Sequence, residues 1–81
     1  MKLHEYKTKY LSKLALYEPK NDREKQLKDT LINKLYPVRT MTLPYLIHIL
    51  YEIIEHEDVS DEFKQLCRDM IEDVQKLESE D

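Results

Sequence analysis

The chain of 81 residues contains no glycine. Gly-rich phosphate loops, the dinucleotide fingerprint and the nucleophile elbow all need glycine where backbone approaches ligand, so none of them is present. A single cysteine, Cys67, excludes an intramolecular disulfide and any cysteine-based zinc knuckle. Tryptophan is absent and proline occurs three times. No long apolar run exists. The most apolar stretch, residues 43–54, contains His48 and Glu52 and falls short of the roughly 20 residues that span a bilayer. The N-terminal segment has lysines scattered through it in place of an unbroken apolar core, so it does not read as a signal peptide. The expectation is a cytoplasmic chain forming a single helical domain.

Charge is abundant and segregated. Residues 1–40 hold ten basic and five acidic side chains, and residues 41–81 hold three basic and twelve acidic, within an overall net charge of −4. Basic helices packed beside acidic ones would neutralise the chain internally. The sharper alternative is a basic pole for an anionic partner and an acidic pole for a cationic one.

Hydrophobic periodicity predicts an all-α fold with helices at about 2–17, 22–36, 43–56 and 61–78. Leu3, Tyr6, Tyr10, Leu14 and Tyr17 make one face of the first helix, and Pro19 closes it. Asn21 as N-cap with Glu24 three residues on resembles a capping box for the second helix. Leu27, Leu31 and Leu35 follow, and Pro37 ends that segment. Thr42 is the expected cap of the third helix, with Pro44 in its first turn. Nine apolar residues leave this helix apolar on most sides, which marks it as the central element. Ser60 caps the fourth helix, whose apolar stripe is Phe63, Leu66, Cys67, Met70, Ile71, Val74 and Leu77. Its outer face is assigned Lys64, Gln65, Arg68, Asp69, Glu72, Asp73 and Lys76, and residues 78–81 are expected to fray.

Short connectors favour an antiparallel, up-down-up-down four-helix bundle. An irregular orthogonal bundle and a three-helix core with a separately docked first helix are the alternatives. A homodimer would help to cover so apolar a third helix in so short a chain.

Candidate sites are few. His48, Glu52 and His56 recur every four residues on one helical face, at a spacing where two ligands can share an ion. His48 and His56 are about 12 Å apart along the axis, so one ion would not take all three. The favoured reading is a solvated stripe with a Glu–His ion pair, with no metal and no cofactor. Lys9 and Lys13 alternate with Tyr10 and Tyr17, a mixture that suits nucleic acid through phosphate contact and stacking. The tyrosines nevertheless fall at core spacing, and the pI of 5.3 disfavours a dedicated nucleic-acid binder. The acidic row from Glu52 to Asp73 would suit mimicry of a phosphate backbone, against the plainer reading of a solvated helix face. Cys67 lies on the apolar stripe and reads as a small core residue. No constellation supports general acid–base chemistry, so no enzymatic activity is expected.

In size, helix order and hydrophobic pattern, the chain resembles the bacteriocin immunity proteins. The resemblance covers most of the chain and is carried by periodicity rather than by diagnostic residues. It implies a small cytoplasmic antiparallel four-helix bundle, although those proteins generally continue beyond the fourth helix. The functional expectation is a small regulatory or inhibitory protein, of the kind bacteria and phages encode, acting by protein–protein binding. Tyr45 and Tyr51 are the expected anchors, because the third helix cannot bury every side. A nucleic-acid or anionic-surface contact through the basic half, with Lys9 and Lys13 in the contact face, is the alternative.

Overall fold

The apolar stripes read from the sequence converge on one core. The computed structural model describes residues 1–77. Among these, four α-helices form: α1 (Leu3–Leu16), α2 (Asp22–Leu35), α3 (Leu43–Ile54) and α4 (Asp61–Val74). A single 3-10 turn, Thr40–Thr42, leads into α3. Each helix packs on the next in the chain, and α1 packs on α4, which closes the ring of a four-helix bundle. The ends of α1 and α4 fix their antiparallel course. The Met1 amino group reaches the Lys76 carbonyl at 3.4 Å, while the ring of Tyr17 lies 5.1 Å from that of Phe63.

The core is made of Tyr6, Tyr10 and Leu14 from α1, Leu31 and Leu35 from α2, and Leu46, Leu50 and Ile53 from α3. Phe63, Cys67, Met70 and Ile71 of α4 complete it, with Val38 and Val59 closing the two connectors from inside. Burying a large apolar side chain of this kind contributes about 1.5–3 kcal/mol, so the core side chains dominate the stability of a chain this short.

Two caps form as expected. Asn21 Oδ1 accepts from the Glu24 amide at 2.8 Å, and Ser60 Oγ accepts from the Phe63 amide at 3.4 Å. Thr42 does not cap α3. Its hydroxyl instead bonds Arg39, accepting from the amide at 2.9 Å and donating to the carbonyl at 3.1 Å, and so fastens the 3-10 turn. Pro44 sits in the first turn of α3, where its missing amide hydrogen costs nothing.

The last two helices are shorter than their periodicity suggested. α3 stops at Ile54 and α4 at Val74, each ending in a tightened turn whose amides bond three residues back. The expected end of α4 at 78 and the fraying of 78–81 lie outside the described residues.

α3 is not the central element. Only Leu46, Leu50 and Ile53 are buried; Leu43, Ile47, Ile49 and Ile54 are half-buried, and Tyr45 and Tyr51 are exposed. The reason is geometric. In a ring of four, a helix has two neighbours, here α2 and α4, so a helix apolar on three sides leaves one in solvent.

Candidate functional site

Two carboxylates lie inside the bundle, and both answer tyrosines of the N-terminal stripe. Glu24, at the start of α2, is completely buried. Its Oε1 accepts from the Tyr17 hydroxyl at 2.5 Å and from the Lys20 amide at 3.1 Å, and its Oε2 accepts from the Ser60 amide at 2.7 Å. Tyr17 spends its one hydroxyl hydrogen on Glu24, so the Ser60 hydroxyl, 3.1 Å away, donates to the Tyr17 oxygen. Burial alone would raise the Glu24 pKa. The bonds from Tyr17, Ser60 and Lys20 outweigh it and hold the carboxyl at about 2. The same burial, with the bond to a carboxylate, pushes the Tyr17 phenol up to about 12. Glu24 thus ties the α1–α2 connector to the first turn of α4. The expected capping box is half formed: Asn21 caps Glu24, but the Glu24 carboxylate turns away from Asn21 to Lys20 and to α4.

Asp73 is the second node, and it corrects the assignment of this residue to the outer face of α4. It is buried, with Oδ2 accepting from the Tyr10 hydroxyl at 2.5 Å and from Lys9 Nζ at 2.7 Å. The bonds from Lys9 and Tyr10 outweigh burial and lower its pKa, with further help from the charges of Lys9 and Lys76. Burial first, then Asp73, raises the Tyr10 phenol well above its ordinary value. Tyr6 completes the series by donating to the Met70 carbonyl at 2.9 Å. No buried side-chain polar atom among the described residues lacks a partner, so both nodes read as satisfied joints of the fold rather than as poised chemistry.

The remaining candidates separate on inspection. His48 Nε2 lies 3.1 Å from Glu52 Oε1 with both side chains well exposed, as an ion pair on a solvated stripe. Among the described residues, no three His, Cys, Asp or Glu side chains gather as metal ligands would. Lys9 is held by Asp73, with Lys9 and Lys13 ammonium groups 5.2 and 5.7 Å from the Tyr10 ring centre. Lys20 pairs with Glu62 at 3.2 Å, and Lys28 donates to the Tyr17 carbonyl at 2.8 Å, closing the end of α1. Lys9, Lys20 and Lys28 of the basic half therefore have partners within the chain, and the buried Tyr6 and Tyr10 have no face to offer a base. The acidic row is broken in the same way, since Asp73 is buried, Glu62 holds Lys20 and Asp69 accepts from Gln65 at 2.9 Å. Cys67 is fully buried, and burial pushes its thiol up to about 12.

What stays uncommitted is apolar and exposed. Tyr45 is 58% and Tyr51 53% accessible, but six residues apart on a helix they point to different sides. Tyr45 lies at the α2–α3 connector, with Lys34 Nζ 5.3 Å from its ring centre. Lys34, Pro37, Val38, Thr42, Tyr45 and Leu46 enclose a hollow of about 250 Å³ there. Tyr36, 72% accessible, precedes Pro37 in the chain, and Met41, 91% accessible, precedes Thr42. Met41 belongs to no periodic stripe because it lies between helices, whereas Tyr36, expected alongside the apolar stripe of the second helix, is exposed as its C-cap. Tyr51 borders a separate groove of about 360 Å³ between α3 and α4 with Ile54, Arg68, Ile71, Glu72 and Gln75. Among the described residues, no helix is long and apolar enough to cross a membrane. Comparison of the chain with protein-family models, curated proteins and solved structures finds no match.

Proposed function

We propose that this protein is a small non-enzymatic regulator or inhibitor that acts by binding another protein. One observation carries the reading. Tyr36, Met41 and Tyr45 stand exposed within ten residues of one another along the chain, through the α2–α3 connector, while among the described residues the buried polar side-chain atoms are satisfied within the fold. Large side chains of this type are what interfaces use as anchors, and Tyr45 borders a hollow that offers a seat to a partner's side chain. Tyr51, on another side of α3, is the second anchor. The basic-face alternative is weakened because Lys9, Lys20 and Lys28 have partners within the chain and Tyr10 is buried.

The test is affinity capture on the tagged protein at low and high salt, with Tyr45→Ala and Tyr51→Ala as controls matched for helical content. The expected result is a protein retained at both salt concentrations and lost from at least one variant. Retention that neither variant changes would remove both anchors. Nucleic acid captured at low salt and released at high salt would replace this reading with the basic-face alternative.

A further inference from the structure

We infer that the hollow at the α2–α3 connector receives an acidic peptide segment, seating one apolar side chain against Tyr45 and placing a neighbouring carboxylate on Lys34 and Arg39. The inference rests on the protein-binding reading above and names the chemistry of the partner.

Three observations carry it. The first is the shape of the hollow. At about 250 Å³ it lies below the 300–1,000 Å³ or so of small-molecule and cofactor sites. It is suited to a single side chain rather than to a whole ligand. Its walls are Pro37, Val38, Leu46 and the ring of Tyr45, so that side chain is apolar.

The second is charge. The chain has seventeen acidic residues, yet residues 30–51 contain no Asp or Glu at all. The permanent cations of that stretch are Lys34 and Arg39. Lys34 lines the hollow, and Arg39 stands exposed two residues from Pro37. No carboxylate belongs to the lining. Two further apolar hollows, beside Leu16 and beside Tyr51, include Glu62 and Glu72 respectively. An acidic segment meets unopposed attraction at the connector, whereas Lys13 at the first and Arg68 at the second of these hollows is offset by the carboxylate beside it.

The third is preorganisation. Lys34 is held over the Tyr45 ring at 5.3 Å, so cation and aromatic wall already face the same opening. Arg39 anchors the 3-10 turn through its backbone, leaving its guanidinium clear of that work. The concave form favours a peptide over a lipid surface, which a protein meets with protruding apolar groups rather than with a hollow.

The probe is a phage-displayed library of random dodecapeptides selected against the immobilised protein, followed by titration calorimetry of synthetic copies. Selected peptides are expected to place Asp or Glu beside Phe, Trp or Leu. Tyr45→Ala should weaken them by about thirtyfold, the scale of an interface anchor. Lys34→Glu with Arg39→Glu should weaken them by about tenfold or more and flatten their dependence on salt. Leu16→Ala, beside a different hollow, should leave them unchanged.

Neutral or basic winners, or winners indifferent to Tyr45→Ala, overturn this inference while leaving protein binding by another surface intact. Failure to select any peptide overturns this inference, and protein binding by another surface then stands or falls with the capture experiment. Two parallel measurements address other occupants. Co-sedimentation with phosphatidylserine–phosphatidylcholine vesicles that Tyr45→Ala abolishes would assign the hollow to lipid. A dimer in light scattering that Tyr45→Ala dissolves would assign it to a second copy of the chain.

Discussion

Replacing Glu24 with glutamine tests whether a buried charge, and not merely a buried acceptor, joins the two halves of the bundle. The variant side chain would still offer one oxygen to Tyr17 and Lys20, but its amide group would face the Ser60 amide, donor against donor. At neutral pH the change removes charge-assisted bonds worth about 1.5–3 kcal/mol each when lost from a buried site. A net destabilisation of about 3 kcal/mol is expected. That is a large share of the roughly 4–12 kcal/mol available to a domain of this length. The melting temperature should fall by roughly 12–24 °C.

The pH dependence isolates the charge. The folded carboxyl sits at about 2 and the unfolded one near 4.5. Above pH 4.5 the stabilisation is complete. As pH falls toward 2, the unfolded chain takes up a proton that the native state refuses, and stability is lost. From about pH 7 to about pH 3 this one group removes about 2 kcal/mol from the native protein and nothing from the Glu24→Gln variant. Urea unfolding followed by far-ultraviolet circular dichroism at both pH values measures it. The gap between the two proteins should shrink by about 2 kcal/mol on acidification. A gap that stays constant would refute the idea that ionised Glu24 stabilises the fold.

Asp73→Asn should cost about 1–3 kcal/mol, since Tyr10 and Lys9 both lose their acceptor oxygen's charge inside the bundle. Lys9→Met should cost less, under about 1 kcal/mol, because Lys9 is partly solvated. Thermal melts of the two variants give the order, and the reverse order would place the weight on the lysine rather than on the buried carboxylate. Cys67, buried with its thiol pushed up to about 12, should resist a disulfide-exchange reagent at about pH 8 in native buffer and react fully in urea. Rapid native labelling would mean that the α4 stripe opens far more readily than its packing implies.

The buried joints were partly visible in the sequence. Glu24 precedes Leu27, Leu31 and Leu35 by three, seven and eleven residues, and Asp73 follows Met70 by three and precedes Leu77 by four. Both carboxylates therefore fall on apolar stripes. The tyrosines of the N-terminal stripe each bring a hydroxyl that must find an acceptor when buried. Acid on two stripes and phenol on a third is a usable signal. Reading Glu24 only as a local cap, and Asp73 only as part of a charged face, missed it. Ser60 as the partner of Glu24 was beyond reach, because thirty-six residues separate them and only the packing of α4 beside α1 brings them together.

Helix number, the caps at Asn21 and Ser60, the buried state of Tyr6, Tyr10 and Cys67, and the four-helix class follow from local rules acting on this chain. Spacing and capping chemistry operate over one or two turns and are written in consecutive residues. The exposure of one side of α3, the burial of Asp73 and the hollow beside Tyr45 were settled by assembly. Each depends on which helices become neighbours, and a ring of four gives every helix two flanks to cover and a third to leave in water. The apolar content of α3 predicted that something must cover it. Packing determined which part stays open, and put Lys34 and Tyr45 there together.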